Sequence, residues 1–354
     1  MSALKPLILR QIAAQGPMSI AEYMTLCLLH PAHGYYSTQD PLGAGGDFIT
    51  APEISQMFGE ILGLFLAQVW TDQGRPGSFT LAELGPGRGT LMVDILRATR
   101  RVSGFHAGLT LHLVEASPVL RAAQRDRLGQ FAPQFHDTAD SLPDAPLYLV
   151  ANEFFDALPI RQFLRQGAGW AERMIGAEAG ALCFGLAPAA PLAALAHRLE
   201  DTQDGQMVEL RAAAQPIMAA INTRIAAHGG AALIVDYGDW RSRGDTLQAL
   251  HQHRFDDPLA RPGMADLTAH VDFEALARAA PDLRACPLTP QGVFLERLGL
   301  GLRAQALAAQ LTGEPLAAHH AAYRRLTHPQ EMGHLFRVLG LSRPDAPLLP
   351  GFDA

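Results

Sequence analysis

The segment FTLAELGPGRGTLMVDIL, residues 79–96, constrains the fold more than any other part of the chain. An apolar run of strand length passes directly into Gly85-Pro86-Gly87-Arg88-Gly89, and helical apolar spacing resumes near Arg88. Glycines there permit a tight turn and let a ligand approach the backbone, while the following helix N-terminus offers unpaired N–H groups. A fully apolar strand needs cover on both faces, so further strands and helices must alternate with it. The chain supplies them: LTLHLVE (109–115), PLYLVA (146–151) and AALIVD (231–236) read as strands. Ser117-Pro118 reads as an N-cap with proline in the first helical position. The expectation is an α/β fold around a parallel sheet.

Ahead of that unit, Leu4, Leu7, Ile8 and Ile12 have helical spacing, and Ser19 with Glu22 has the spacing of a capping box opening a helix to about Leu29. HPAHGYYSTQDPLGAGGDFIT (30–50) has no apolar periodicity; a loop of about 20 residues in a compact domain usually serves function, here as a lid. Thr50 and Glu53 repeat the capping-box spacing before an apolar helix to about Trp70. The expected division is a helical extension over 1–78 carrying the lid loop, then a sheet domain over 79–354. That domain has insertions at about 161–228, begun by antiparallel strands over 161–188, and at about 238–270, a polar crossing. The last 60 residues read as largely helical, with a late strand at 334–341.

Composition narrows the class. Of 354 residues, 18% are charged against about 25% in an average soluble domain, which excludes a disordered chain. The net charge of −7 argues against a dedicated nucleic-acid binder. Cys27, Cys183 and Cys286 make no CxxC pair, as expected of buried thiols in a reducing compartment. No apolar run is long enough for a membrane span, and the first residues read as neither signal nor transit peptide. A cytoplasmic enzyme is the expectation, with no nucleic-acid or membrane partner; a homodimer is left open.

The glycine spacing bears on the ligand. Dinucleotide loops favour GxGxxG, whose third glycine would fall at Thr90; here the spacing is GxGxG over Gly85, Gly87 and Gly89. Glu83 lies two residues before Gly85, unhelpful beside a pyrophosphate but suited to a ligand carrying an amino group and a sulfonium. Glu115, ending the next strand, is placed to accept from both ribose hydroxyls, which indicates a nucleoside without separating the classes. Glu83 and the spacing favour S-adenosyl-L-methionine over NAD, the rival being a capping carboxylate at Glu83 and an NAD-dependent oxidoreductase overall.

These residues resemble the MidA-type methyltransferases, the group related to the mitochondrial complex I assembly-factor arginine methyltransferase. The resemblance is carried by 34–60, ELGPGRGTLMVDILR (83–97), NEFFDALPIRQF (152–163), IVDYGD (234–239), DDPLARPGMADLTAHVDF (256–273) and QGVFLERLG (291–299). It implies a class I, Rossmann-like, seven-stranded methyltransferase sheet with a helical N-terminal extension and accessory insertions. It further implies methylation of protein arginine, with a respiratory complex I subunit as substrate. Gln248 and Leu250 depart from the arginine and aromatic expected there, which puts the acceptor in doubt. Other acceptors, glutamine or a small molecule, and a non-catalytic assembly chaperone keeping the cofactor pocket, are the alternatives.

Methyl transfer is an in-line displacement needing positioning and no metal. Asn152, Glu153 and Asp156 fall where the fourth sheet strand should end. On a helical turn Glu153 and Asp156 would share one side and grip a cation; they are the expected activating pair, with Asn152 shaping the methyl site. The rival roles are a capping Asp156 and a solvated Glu153. Asp137 is an expected contact for the adenine amino group, or else a turn aspartate, and Asp47 an expected contact for the methionine part or the acceptor. Asp236 and Tyr237 are candidates for a substrate wall or for structural support. His251, His253 and His270 lack recognised metal-ligand spacing, and Arg97, Arg100 and Arg101 suit a solvated helix end.

Overall fold

A computed structural model describes residues 2–38 and 50–353. The chain forms two compact units, one of 1–48, 156–215 and 241–272, the other of 49–155, 216–240 and 273–354.

The first unit opens with helices α1 (Leu4–Gln15) and α2 (Ile20–Leu29). Leu4, Ile8 and Ile12 make the buried face of α1. Ser19 caps α2 as the spacing predicts: its hydroxyl accepts from the Glu22 N–H, and the Glu22 carboxylate accepts from the Ser19 N–H. The antiparallel strands expected over 161–188 are present as Arg161–Gln166, Gly169–Glu178 and Ala181–Leu186. Met207–Leu210 pairs with the first of these, and Met18–Ser19 with the second. The polar crossing proves more structured than its composition suggests. Gln248–His251 pairs antiparallel with Arg254–Asp256 and with Asp266–Thr268. Its turn needs a left-handed backbone at Gln252 (φ 51°) and His253 (φ 60°), a conformation usually announced by Asn-Gly.

The second unit holds the sheet. Its strands are β1 (Phe79–Leu84), β2 (Leu109–Val114), β3 (Gln134–His136), β4 (Leu147–Asn152), β5 (Gly230–Asp239), β6 (Arg284–Ala285) and β7 (Phe336–Ser342). Across the sheet the order is β6-β7-β5-β4-β1-β2-β3, parallel from β5 to β3. β7 runs antiparallel to both neighbours. These seven make the main path of the expected α/β sheet, and the two-residue strand Thr289–Pro290 also pairs antiparallel with β7. Every residue of β1 and β4 is buried, as an apolar run in a central parallel strand requires.

Helices α3 (Gln56–Asp72), α4 (Thr90–Thr99) and α5 (Pro118–Leu128) follow in this unit. Phe58, Ile61, Leu62, Phe65, Leu66, Val69 and Trp70 of α3 share one core with Phe79, Leu81, Leu91, Ile95 and Leu113. Helix α3, within the expected 1–78 extension, thus contributes its apolar face to the sheet's own core. The sheet unit resumes at Pro216, inside the segment expected as insertion to about 228. Local start signals differ too. Thr50 makes no side-chain cap; a short turn over Ala51–Ile54 ends at Ser55, whose hydroxyl caps α3 by accepting from the Met57 N–H. Helix α4 starts at Thr90, because Gly89 is left-handed (φ 79°). Ser117 caps α5, with Pro118 in its first turn.

Candidate active site

The carboxyl ends of β1, β2 and β4 converge where a doubly wound sheet places its ligand. After β1, Gly85, Gly87 and Gly89 have φ of 62°, 55° and 79°. A Cβ at Gly85 would stand 2.7 Å from Cδ2 of Phe154, so the loop lies directly against the turn after β4. Backbone conformation and close approach both require glycine there.

Glu83 lies across from Leu113 of β2 and Val150 of β4, and is only 3% exposed. Its Oε2 is buried without a donor among the described residues. Burial pushes the carboxyl up to about 8, with the neighbouring Glu115 adding to the rise. Glu115 follows β2; its Oε1 accepts from the Ser117 N–H at 2.8 Å and its Oε2 from Gln124 Nε2 at 3.3 Å. Burial raises this acid as well, against those hydrogen bonds.

The turn after β4 is pinned from β5. The Glu153 N–H donates to the Val235 carbonyl at 2.9 Å, and the Phe155 N–H to Asp236 Oδ2 at 3.0 Å. Asp236 is fully buried and its Oδ1 accepts from the Tyr237 N–H. Its part is to fix this turn, the structural-support alternative, and sequence pattern alone could not separate the two. Glu153 has φ 50°, a left-handed conformation that costs a side-chain-bearing residue about 1–3 kcal/mol and clusters at functional sites. Its Oε1 accepts from the Ala51 N–H at 2.9 Å and from Asn152 Nδ2 at 3.1 Å. Asn152 is buried, and the amide orientation set by that bond leaves Oδ1 without a donor among the described residues.

Not all expected site residues come together. Residues 153–156 form no helical turn, so the shared helical side expected for Glu153 and Asp156 is not realised, nor is a helix there for Asp156 to cap. Asp156 belongs to the first unit, where it is buried and its carbonyl accepts from the Ala269 N–H. In that unit the Tyr36 hydroxyl donates to the buried Asp266 Oδ1 at 2.8 Å; burial, then Asp266 and Asp156, hold this hydroxyl protonated well above the usual phenol range. Asp137 is exposed, with Oδ1 paired to Arg121 at 2.6 Å. Asp47 lies outside the described residues. Gln248 donates to Thr268 Oγ1 at 3.2 Å in the small sheet, where Leu250 is half-buried opposite Phe255.

Sequence reasoning overlooked two contacts. Thr90, the first residue of α4, donates to Glu53 Oε1 at 2.5 Å and accepts from Arg127 at 2.8 Å, which ties the Ala51–Ile54 turn to the glycine loop. Gln124 of α5 donates to the Gly87 carbonyl at 2.6 Å. A glutamine between Leu120 and Leu128 at helical spacing was the available signal for the second.

The arrangement fits a cationic nucleoside better than a dinucleotide. Glu83 Oε2 and Asn152 Oδ1 are buried with no partner among the described residues, and a cation beside Glu83 would draw off the proton that burial retains and pair with the carboxylate, which a pyrophosphate could not do. Glu83, Gly85, Gly87, Gly89 and Glu115 are the residues that would hold S-adenosyl-L-methionine.

Comparison with known proteins agrees. A family model described as "Putative S-adenosyl-L-methionine-dependent methyltransferase" matches residues 61–290. The chain is 39% identical to the zebrafish (Danio rerio) mitochondrial protein arginine methyltransferase NDUFAF7, over 94% of this chain and 85% of the relative. It is 36% identical to the human protein of that name, over 94% and 82%. A crystal structure from Burkholderia thailandensis, bound to S-adenosyl-homocysteine, superposes with a TM-score of 0.80 at 30% identity, covering 99% of this chain and 93% of that one. The relatives are named as mitochondrial proteins, which overturns the expectation of a cytoplasmic one. No helix among the described residues is long and apolar enough to cross a membrane. With a glycine cradle, a strand-end acid and this breadth of similarity, the chain belongs to the S-adenosyl-L-methionine-dependent methyltransferase family that includes the NDUFAF7 proteins.

Proposed function

We propose that the protein methylates arginine in a protein substrate, a respiratory complex I subunit undergoing assembly. The observation that carries the reading is the turn after β4. There Glu153 is held left-handed, its carboxylate is fixed by two donors, and Asn152 beside it keeps a buried acceptor oxygen. When bound, the cofactor supplies an electrophilic methyl group on a sulfonium. The chain's own residues supply positioning. Glu83 receives the cofactor's ammonium group, Glu115 its ribose hydroxyls, and the glycine loop admits it against the backbone.

An arginine side chain is protonated at neutral pH and offers donors only. Glu153 orients such a group and draws its positive charge toward the carboxylate. Asn152 Oδ1 accepts from the nitrogen that is to be alkylated and aligns it; as the N–CH3 bond forms and the S–CH3 bond breaks to leave the neutral thioether, the proton that this nitrogen gives up passes to the Glu153 carboxylate. The curated relatives, named protein arginine methyltransferases, support the choice of arginine.

The test is transfer of a labelled methyl group into extract from cells lacking the protein, followed by mass mapping of the labelled residue. Label on arginine of a complex I subunit is the expected result. Label on glutamine, lysine or a small molecule would overturn the acceptor and leave the cofactor assignment intact.

A further inference from the structure

Helix α5 buries Leu120, Gln124 and Leu128 at i, i+4 and i+8, with Gln124 completely inaccessible. Packing alone would favour leucine at the middle position. A buried amide is costly unless all its polar atoms are paired. Here they are not: Nε2 donates to the Gly87 carbonyl at 2.6 Å and to Glu115 Oε2 at 3.3 Å, while Oε1 has no donor among the described residues. Both neighbours of Nε2 are acceptors, so the amide cannot turn over to relieve the oxygen. Its Cγ also lies 3.6 Å from where a Cβ on Gly89 would stand. The position sacrifices stability to hold two things at once: the peptide of a left-handed glycine and the second oxygen of Glu115, whose first oxygen is held by the Ser117 N–H.

We propose that Gln124 is a positioning residue for the nucleoside. It locks the Gly87 peptide and the Glu115 carboxylate into one arrangement, so that the site discriminates a ribose with free hydroxyls from a sugar lacking them. Gln124 acts through Glu115 and the loop, without touching the ligand. The inference rests on the cofactor reading above and adds to it the source of ribose selectivity.

Gln124→Leu removes both donated hydrogen bonds and the unpaired oxygen in a side chain of similar size. Gln124→Met is the second variant, should the branched side chain disturb folding. Titration calorimetry with S-adenosylhomocysteine and with its 2′,3′-dideoxyribose analogue gives the readout, alongside the melting temperature of the ligand-free protein. The expected result is a melting temperature within about 2 °C of the wild type or higher. S-adenosylhomocysteine should bind about tenfold more weakly, as for a lost hydrogen bond to a charged group, and most of the preference over the dideoxy analogue should disappear. Unchanged affinity in both variants would overturn the proposal. Equal weakening for both ligands, with the preference retained, would also overturn it, since a merely structural glutamine behaves that way. A wild type that binds no S-adenosylhomocysteine would instead overturn the cofactor reading itself.

Discussion

Glu83 shows how one side chain can oppose the stability of the ligand-free fold and serve the bound state. Buried, short of a donor and beside Glu115, its carboxyl titrates near 8, against an ordinary value of 4.5. An acid whose pKa is raised on folding favours the fold most below its unfolded pKa, and that contribution is lost as pH rises through the folded value. Between pH 4.5 and 8, Glu83 therefore makes the ligand-free protein progressively less stable. Glu83→Gln should melt above the wild type beyond pH 8 in a thermal scan, the gap closing toward pH 4.5. A gap independent of pH would contradict this. The same variant should bind S-adenosylmethionine about tenfold or more weakly, since it loses a charge-assisted contact. Gly85→Ala probes the neighbouring residue. It forces φ 62° on alanine and drives a methyl group to 2.7 Å from Phe154, so cofactor binding in calorimetry should fall below detection while the sheet core persists.

Among the elements, the turn after β4 depends on β5 more than on its own sequence. Asp236 accepts from Phe155 and Tyr237, and Asp236→Ala removes the acceptor of the buried Phe155 N–H and that of the part-buried Tyr237 N–H. Chemical denaturation should show a loss of about 2–4 kcal/mol, with turnover falling further than stability explains. On the β2–β3 side, His112 and His136 share a 2.8 Å hydrogen bond. Burial, with His136 adding to it, lowers His112 to about 4. A histidine lowered on folding stabilises the protein above its unfolded value of 6.5 and loses that contribution as pH falls toward 4. The urea midpoint should therefore drop as the pH falls below 6.5, and His112→Gln should flatten that slope. Much of this architecture was legible in the sequence, because long apolar strands and the Ser19 and Ser117 caps depend on nearby residues. The glycine cradle was legible for the same reason. The Gln248–Asp256 hairpin was not, since its turn holds Gln252 and His253 left-handed against their own preference. Nor was Asp236 as a pin, nor the Thr90–Glu53 tie, because each depends on partners distant in the chain.

Across the whole molecule, the low charged fraction and net −7 acquire local meaning. Glu83, Glu115 and Asp236 are buried acids of the sheet unit, and Asp156 and Asp266 of the other. Helix α3 is apolar enough to read as part of an independent front end, yet it joins the sheet's core. One part of the sheet unit is proposed to bind the cofactor and another, the turn after β4, to perform the transfer. Glu153→Gln separates them. It keeps an Oε1 able to accept from Ala51 and Asn152, and removes only the charge. Methyl transfer to extract protein and affinity for S-adenosylhomocysteine, measured on the same preparation, give the decisive comparison. Turnover should fall by about 100-fold or more, with affinity within about threefold of the wild type. Undiminished transfer by this variant would contradict this.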